Sequence, residues 1–215
     1  MSKTHIAVVL DRSGSMDSCM TATVDGFDEF VNKQKLAEGE ATITVAQFDD
    51  EYEILYDFKD VQDVISIKDI YQPRGCTALL DAIGRTIKAT KAALVMKSKS
   101  QQPDRVLCVI ITDGYENASR EYTRDQIVKL VREQEEGNWE FMFLGANMDA
   151  IAAATSFGLK ASNAASYHTS NTDKAWDVLA SGAACYRSMC SGQLESVKTG
   201  ALSMISEEDR EALVQ

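Results

Sequence analysis

The sequence predicts an α/β fold in which a mainly parallel sheet lies between two layers of helices. Strand-like runs alternate with helix-like runs almost from end to end, which is typical of crossover connections between parallel strands. The runs "AVVL" (7–10) and "VLCVII" (106–111) are apolar at every position, as expected for strands that helices cover on both faces. One connection, "FDDEY" (48–52), is too short for a helical crossover and predicts one antiparallel strand.

Six strands are predicted from runs of apolar and β-branched residues. They cover residues 5–10, 41–48, 53–58, 105–112, 139–145 and, with a weaker pattern, 164–168. The third strand should pair antiparallel with the second and form an edge of the sheet. The predicted architecture is a three-layer αβα sandwich, Rossmann-like in its alternation of strands and helices.

Helices are predicted between the strands, where apolar residues recur at helical spacing and so form one apolar face. These residues are Met20, Val24, Phe27 and Val31; Leu80, Ile83 and Ile87; Ile127, Leu130 and Val131; and Trp176, Leu179, Ala183 and Tyr186. Thr123, followed three residues later by Gln126, has the form of a capping box at a helix start. After residue 191 the pattern loosens. We therefore predict one domain over 1–191 and a C-terminal tail over 192–215. The tail should contain a short helix starting at Ser206, and it can pack on the domain.

Composition limits the partners and the location that the chain can be expected to have. Its 33 acidic and 22 basic residues give a net charge of −11, which repels nucleic acid and anionic lipid. No apolar run approaches the roughly 18 to 20 residues needed to span a bilayer. The five cysteines are scattered, without a CxxC pair, and read as reduced thiols. We expect a cytoplasmic protein that binds no nucleic acid and inserts into no membrane.

Oxygen-bearing side chains follow the first and the fourth predicted strands, and others open the helix that precedes the fourth. "DRSGS" (11–15) ends the first strand, "GCTALLDAI" (75–83) opens the helix before the fourth, and "ITDGYEN" (111–117) ends the fourth. If the first and fourth strands are neighbours, these segments meet at one edge of the sheet. The side chains expected to converge are Asp11, Ser13, Ser15, Thr77 and Asp113. Oxygen donors without sulfur or imidazole suit Mg²⁺, Mn²⁺ or Ca²⁺ and not zinc.

Two other interpretations apply to Asp11, Ser13 and Ser15 when these residues are taken alone. Asp and Ser are favoured at helix starts, so the three residues taken alone also fit a polar turn with a capping role. A calcium-binding EF-hand loop uses oxygens at the same spacing, but it needs Gly and Glu where this chain has Met16 and Ala22. The EF-hand interpretation therefore fails, and the capping interpretation explains neither Thr77 nor Asp113.

Together, D-x-S-x-S after the first strand, G-x-T before the fourth and T-D-G at its end resemble the metal ion-dependent adhesion site (MIDAS) of the von Willebrand factor type A domain family. The resemblance covers roughly residues 3–190, and all five family positions are filled, which implies a complete MIDAS. It implies Ser13, Ser15 and Thr77 as direct ligands of Mg²⁺, or of Mn²⁺ or Ca²⁺. Asp11 and Asp113 would bind directly or through water. Cys76 stands where family members often have a second glycine.

The function that this resemblance implies is a divalent-cation-dependent protein-binding or adaptor module, and not an enzyme. A partner protein would supply an Asp or Glu carboxylate to the sixth metal position, and some family members inside cells act beside ring-shaped ATPases. Residues that flank the proposed ion are candidate partner contacts, because exposed Tyr, Met and Arg are enriched at interface hot spots. They are Met16, Asp17, Tyr115, Glu116, Asn117, Arg120 and Tyr122.

The alternative function is a metal-dependent phosphohydrolase of the haloacid dehalogenase type. In that class an Asp after an apolar first strand is the nucleophile, and Asp11 occupies that place. That class has the motif D-x-D, however, in which the second Asp is the general acid. In this chain Ser13 stands at the place of the second Asp. A hydroxyl is a poor proton donor, so this interpretation ranks second.

Overall fold

The computed structural model describes residues 2–215 and contains one six-stranded sheet. Its strands are β1 (Lys3–Asp11), β2 (Glu40–Phe48), β3 (Tyr52–Asp60), β4 (Arg105–Thr112), β5 (Trp139–Ala146) and β6 (Ala164–Tyr167). They lie in the order β3-β2-β1-β4-β5-β6. Every neighbouring pair is parallel except β2 with β3, so β3 is the antiparallel edge strand that the short "FDDEY" connection predicts.

Helices cover both faces of the sheet. They are α1 (Met20–Leu36), α2 (Leu79–Met96), α3 (Arg124–Glu135), α4 (Ala150–Ser156), α5 (Thr172–Ser188), α6 (Ser191–Lys198) and α7 (Glu207–Val214). The side chains of β1 alternate between the layers: Ile6 and Val8 belong to the core with α1 and α5, whereas Ala7 and Val9 belong to the core with α2 and α3. The three-layer αβα sandwich is confirmed.

Local signals explain where some helices begin. The Thr123 hydroxyl accepts a hydrogen bond from the Gln126 amide, and the Gln126 side chain accepts one from the Thr123 amide, so the predicted capping box is formed.

Helices α4 and α6 were not predicted. The sequence of α4, "AIAAATS", has apolar side chains on all sides and therefore shows no helical period.

Helices α1 and α5 pack closely where one tryptophan of α5 contacts two phenylalanines of α1. The Trp176 ring lies 5.9 Å from the Phe27 ring and 5.8 Å from the Phe30 ring, both edge-on. A Cβ on Gly26 would lie 2.3 Å from Trp176 Cδ1, so only glycine permits this approach. The contact holds α1, and the 3₁₀ turn Gly14–Cys19 before it, in place at the end of β1.

The residues after 191 pack against β6 and α5. Val197, Ile205 and Leu213 are fully buried in the same core as α5. The Arg210 guanidinium donates to the carbonyl oxygen of Ala164, and the His168 amide donates to that of Leu213 at 3.2 Å. The segment thus covers the outer edge of β6. The division at residue 191 into domain and tail stays a prediction.

Candidate metal centre

Strands β1 and β4 end together at one edge of the sheet. Leu10 of β1 pairs with Ile111 of β4, so Asp11 and Thr112 follow side by side. The buried Asp11 carboxylate accepts a hydrogen bond from the Thr112 hydroxyl at 2.5 Å and another from the Ser13 amide at 2.6 Å. These two bonds fix the orientation of Asp11 at the base of the site.

Two serines of the loop after β1 connect this base to the loop after β4. The Ser13 and Ser15 hydroxyl oxygens are 3.1 Å apart, and the Ser15 hydroxyl donates to Asp113 Oδ1 at 2.6 Å. Ser13 is buried, whereas Ser15 is exposed and Asp113 is half-buried. The oxygens therefore run from the interior to the surface, where a ligand can reach them.

Thr77 lies at the same place, on the loop before α2. A Cβ on Gly114 would lie 3.2 Å from Thr77 Oγ1 and 3.8 Å from Ser15 Oγ, so glycine leaves open the space between these hydroxyls. The Thr77 amide donates to the Asn117 side chain at 2.9 Å, and the Asn117 amide donates back to the Thr77 carbonyl at 3.0 Å. The structure thus brings together all five residues that the sequence predicts to converge.

A buried ion pair that was not predicted holds two of these loops. Asp49, at the end of β2, has Oδ2 at 3.2 Å from Arg12 Nε and at 2.8 Å from Arg74 Nε. The Arg74 amide donates to the Arg12 carbonyl at 2.7 Å, and the Ala78 amide donates to the Asp49 carbonyl at 3.0 Å. An Asp that directly follows a buried strand beside β1 is the signal that could have identified this residue.

Burial destabilises the ionised forms of the Asp11 and Asp113 carboxylates and so raises their pKa values. Burial raises the pKa of Asp11 to about 6, although hydrogen bonds from Thr112 and Ser13 act in the opposite direction. Burial also raises the pKa of Asp113, and the bond from Ser15 acts against this. A divalent cation between the two carboxylates would favour their charged forms.

The donor set fits a small divalent cation. In an octahedral site with metal–oxygen distances of about 2.1 Å, adjacent ligand oxygens lie about 3.0 Å apart. The observed separations are 3.1 Å between Ser13 and Ser15 and 2.6 Å between Ser15 and Asp113. Within residues 2–215 no group of three or more His, Cys, Asp or Glu side chains is arranged to hold a metal. Metal binding at this site would therefore depend on the three hydroxyls.

Cys76 does not crowd the loop that carries Thr77. Its amide donates to Asp50 Oδ1 at 3.1 Å and its side chain is exposed. Gly75 before it has a φ of 69°, a left-handed conformation that glycine adopts without strain. The sharp turn is therefore made at Gly75, and the Cys76 side chain lies outside it, at the surface.

The predicted partner contacts divide into exposed and internal residues. Tyr115 is 60% exposed, and Asp17 and Arg120 are also exposed near the site. Met16, expected at the surface, is fully buried in the core. This expectation is wrong because the 3₁₀ turn after β1 directs the Met16 side chain inward.

Three other residues of that set have structural contacts. Glu116 accepts hydrogen bonds from the Leu80 amide at 2.8 Å and the Ser119 amide at 2.7 Å, so it caps the start of α2. Asn117 is exposed at one side but binds the Thr77 backbone. The half-buried Tyr122 packs its ring on Gly84 of α2. A role in partner binding stays a prediction for the exposed residues.

No helix that the structure describes within residues 2–215 is both long and apolar enough to cross a membrane.

Residues 6–116 match the model of the von Willebrand factor type A domain family. This span, half of the chain, includes all five converging residues. No curated protein matches the sequence of this chain.

Solved structures share the fold at low sequence identity. The von Willebrand factor domain of the type V pili tip protein Mfa5 from Porphyromonas gingivalis is 11% identical, with a TM-score of 0.65, over 88% of this chain and 97% of that one. Proximal thread matrix protein 1 from the mussel byssus, with a zinc-occupied MIDAS motif, is 13% identical, with a TM-score of 0.58, over 84% of this chain. This chain covers only 48% of the mussel protein.

A third solved structure is the manganese-loaded TRAP protein of Plasmodium vivax. It is 12% identical, with a TM-score of 0.58, over 80% of this chain and 71% of that one. At such identities these likenesses establish the fold alone.

Proposed function

This chain belongs to the von Willebrand factor type A domain family. We propose that it is a protein-interaction module that uses a divalent cation bound at a complete MIDAS. The observation that carries the proposal is the convergence of Asp11, Ser13, Ser15, Thr77 and Asp113 at one edge of the sheet. No observation supports the phosphohydrolase alternative, because buried Ser13 still stands where that chemistry needs an acid.

The hydroxyls of Ser13, Ser15 and Thr77 would be direct ligands of the cation. Asp11 and Asp113 would complete the site directly or through water. Hydroxyls are neutral, so a cation held mainly by them keeps much of its positive charge and attracts a further anion. An Asp or Glu carboxylate of the partner would supply that anion, and the desolvated contact would be the centre of the interface.

Mg²⁺ is the proposed cation, with Mn²⁺ or Ca²⁺ as substitutes. The donor set contains only hard oxygen atoms, which is the ligand type these ions prefer. Zinc in the mussel protein and manganese in the Plasmodium protein support a divalent cation in this fold. The proposed role of the metal is to bind a partner and not to catalyse a reaction.

The exposed residues around the cation would provide specificity. Tyr115 presents 60% of its surface to solvent, and Arg120 and Asp17 are exposed on neighbouring loops. An aromatic and a guanidinium group near a central ion pair are typical of interface hot spots. The proposed setting is the cytoplasm, where the scattered cysteines would stay reduced, and the proposed partners include proteins of ATPase-associated complexes.

The test is a pull-down from the native cell extract with the intact protein in Mg²⁺, the intact protein in EDTA, and Thr77→Ala in Mg²⁺. We expect a set of partners that only the intact protein captures in Mg²⁺, and loss of capture when the partner's carboxylate is changed to an amide. The same partners in all three conditions would contradict the proposal. Release of phosphate from an aryl phosphate, lost in Asp11→Asn, would instead favour the phosphohydrolase.

A further inference from the structure

A cavity of 430 Å³ lies at the opposite end of the sheet from the candidate metal centre. It is lined in part by Arg105 and Arg187, with Ser2 and Ser188 beside them. Arg105 begins the eight-residue strand β4, whose other end is Thr112. At about 3.3 Å per residue the two sites are about 23 Å apart, so the cavity is not part of the metal centre.

Arg187 is a buried residue, only 2% exposed. Its Nη1 donates to the backbone and side-chain oxygens of Gln34 at 2.5 and 3.2 Å, at the end of α1. Its Nη2 donates to the carbonyl oxygens of Ala37, Glu38 and Gly39 at 3.3, 3.4 and 2.8 Å, just beyond that helix. Its Nε–H has no acceptor among residues 2–215. The neutral oxygens at the end of α1 thus occupy both terminal nitrogens of Arg187 but supply no full negative charge.

The Arg105 guanidinium is in a similar position, in a residue that is 9% exposed. It donates to the carbonyl oxygens of Tyr186 at 2.8 Å and Met189 at 3.2 Å, and it lies 5.7 Å from the centre of the Tyr186 ring. In the described part of the chain its Nε–H also lacks an acceptor. Two buried guanidinium groups thus line one cavity.

Neither guanidinium has a carboxylate oxygen within 4 Å in the part of the chain that the structure describes. Arg12, by contrast, meets Asp49 and Glu53. Glu38 also lines the cavity, but its side chain is exposed. Burial lowers the pKa of Arg187, and no nearby anion raises it again. In a chain of net charge −11, two buried cations without an acidic partner are exceptional, because buried charges are normally paired.

We propose that this cavity binds the phosphate group of a phosphate monoester between Arg105 and Arg187. A monoester carries a charge of about −1.5 to −2 at pH 7, which balances two guanidinium groups, whereas one carboxylate would balance only one. Guanidinium groups also form strong, charge-assisted hydrogen bonds with phosphate oxygens. The Ser2 hydroxyl, now in a long 3.3 Å bond to the Arg187 carbonyl, can turn toward a third oxygen. The volume exceeds that of a phosphate alone and leaves room for the esterified group.

The experiment follows the side-chain Nε–H signals of Arg105 and Arg187 in ¹⁵N-correlated NMR spectra of the full chain. Inorganic phosphate, O-phosphoserine and acetate are titrated at pH 7, at constant ionic strength and in EDTA, so that the result is independent of the metal centre. We expect saturable shifts of both signals with the two phosphates, tighter binding of O-phosphoserine and no saturation with acetate. Linear shifts with every anion, acetate binding as tight as phosphate, or binding of inorganic phosphate without O-phosphoserine would overturn the proposal.

Variants separate binding from folding. Arg105→Gln should weaken phosphate binding at least about tenfold, because one charge-assisted bond is lost, and Arg105→Lys should bind with an intermediate affinity. Arg85→Gln is the matched control, since Arg85 pairs with exposed Glu121 outside the cavity. Backbone spectra verify that each variant is folded. Unchanged affinity in folded Arg105→Gln would contradict the assignment.

Discussion

The Ser15 hydroxyl donates a 2.6 Å hydrogen bond to Asp113 Oδ1, although the two residues are 98 positions apart in the sequence. The bond joins the loop after β1 to the loop after β4, because these strands are neighbours in the sheet. Separate sequence motifs thereby become one site. Changes that separate these loops, or fill the space between them, should therefore impair metal binding more than they impair folding.

Gly114→Ala should weaken metal binding by about tenfold, the lower end of what changes next to metal ligands cost. The added Cβ would lie 3.2 Å from Thr77 Oγ1, close enough to push this proposed ligand aside, and would be in ordinary contact with Ser15 Oγ at 3.8 Å. Calorimetric titration with Mn²⁺ measures the affinity, and the melting temperature without metal should change little. Gly192→Ala, where a Cβ meets nothing within 4 Å, is the control. Equal affinities for the two variants would contradict this view of the site.

Asp49→Asn should lower the free energy of unfolding by about 3 kcal/mol, because it removes the buried counter-charge of Arg12 and leaves only the half-exposed Glu53. Urea denaturation measures the change. The matched control is Glu51→Gln, which breaks an ion pair of Glu51 with Arg74 in which the Glu51 side chain is 70% exposed. That variant should lose about 0.5 kcal/mol at most. If both variants were equally stable, the buried ion pair would not hold the loops.

His5 should make the protein less stable as the pH falls below about 6.5. Burial, with a smaller effect from Lys97, lowers the pKa of His5 to about 3, whereas an unfolded chain has the ordinary value of 6.5. Between these values the unfolded state binds a proton that the folded state excludes, so the stability present above pH 6.5 is progressively lost toward pH 3.

Between pH 7 and pH 5 the unmodified protein should lose about 2 kcal/mol more than His5→Gln. Urea denaturation at the two pH values gives the difference, and the titration of groups common to both proteins cancels. His168→Gln removes an exposed histidine and should follow the unmodified protein. A pH dependence unchanged in His5→Gln would show that His5 is not buried in its neutral form.

Leu213→Ala should cost about 3 kcal/mol of folding free energy if α7 packs as the structure describes, because Leu213 is fully buried against the domain. Its neighbour Val214 is 51% exposed, and Val214→Ala should change stability by less than about 0.5 kcal/mol. Thermal and urea unfolding measure both variants. Two equally small effects would mean that the C-terminal segment contributes little to the core.

The fold was predictable because its central signals are local. The central residues of β1 (6–10) and β4 (106–111) are apolar at every position, and the three residues between β2 and β3 allow only an antiparallel return. Helix α6 was missed because Leu194 and Val197 alone do not define a helical face. Its position depends on burial of Val197 in the core, which a local pattern does not contain.

The convergence of the candidate site was predictable from its motifs, but its surroundings were not. Glu116 looks like a surface residue in sequence, yet it binds the amide of Leu80, 36 positions away, and so caps α2. Asp49 was overlooked because its meaning depends on where β2 lies relative to β1. Met16 turns inward because a 3₁₀ turn, and not an open loop, follows β1. For Glu116 and Asp49 the deciding contact is between segments distant in sequence.

The central claim is that the three hydroxyls and two carboxylates form one divalent-cation site. Calorimetric titration of Mg²⁺ and Mn²⁺ into the unmodified protein, Thr77→Ala and the exposed control Thr21→Ala tests it most directly. The account predicts one ion per chain for the unmodified protein and for Thr21→Ala, and binding at least about tenfold weaker for folded Thr77→Ala. Equal binding by all three proteins, or no binding of either ion by the unmodified protein at millimolar concentration, would contradict it.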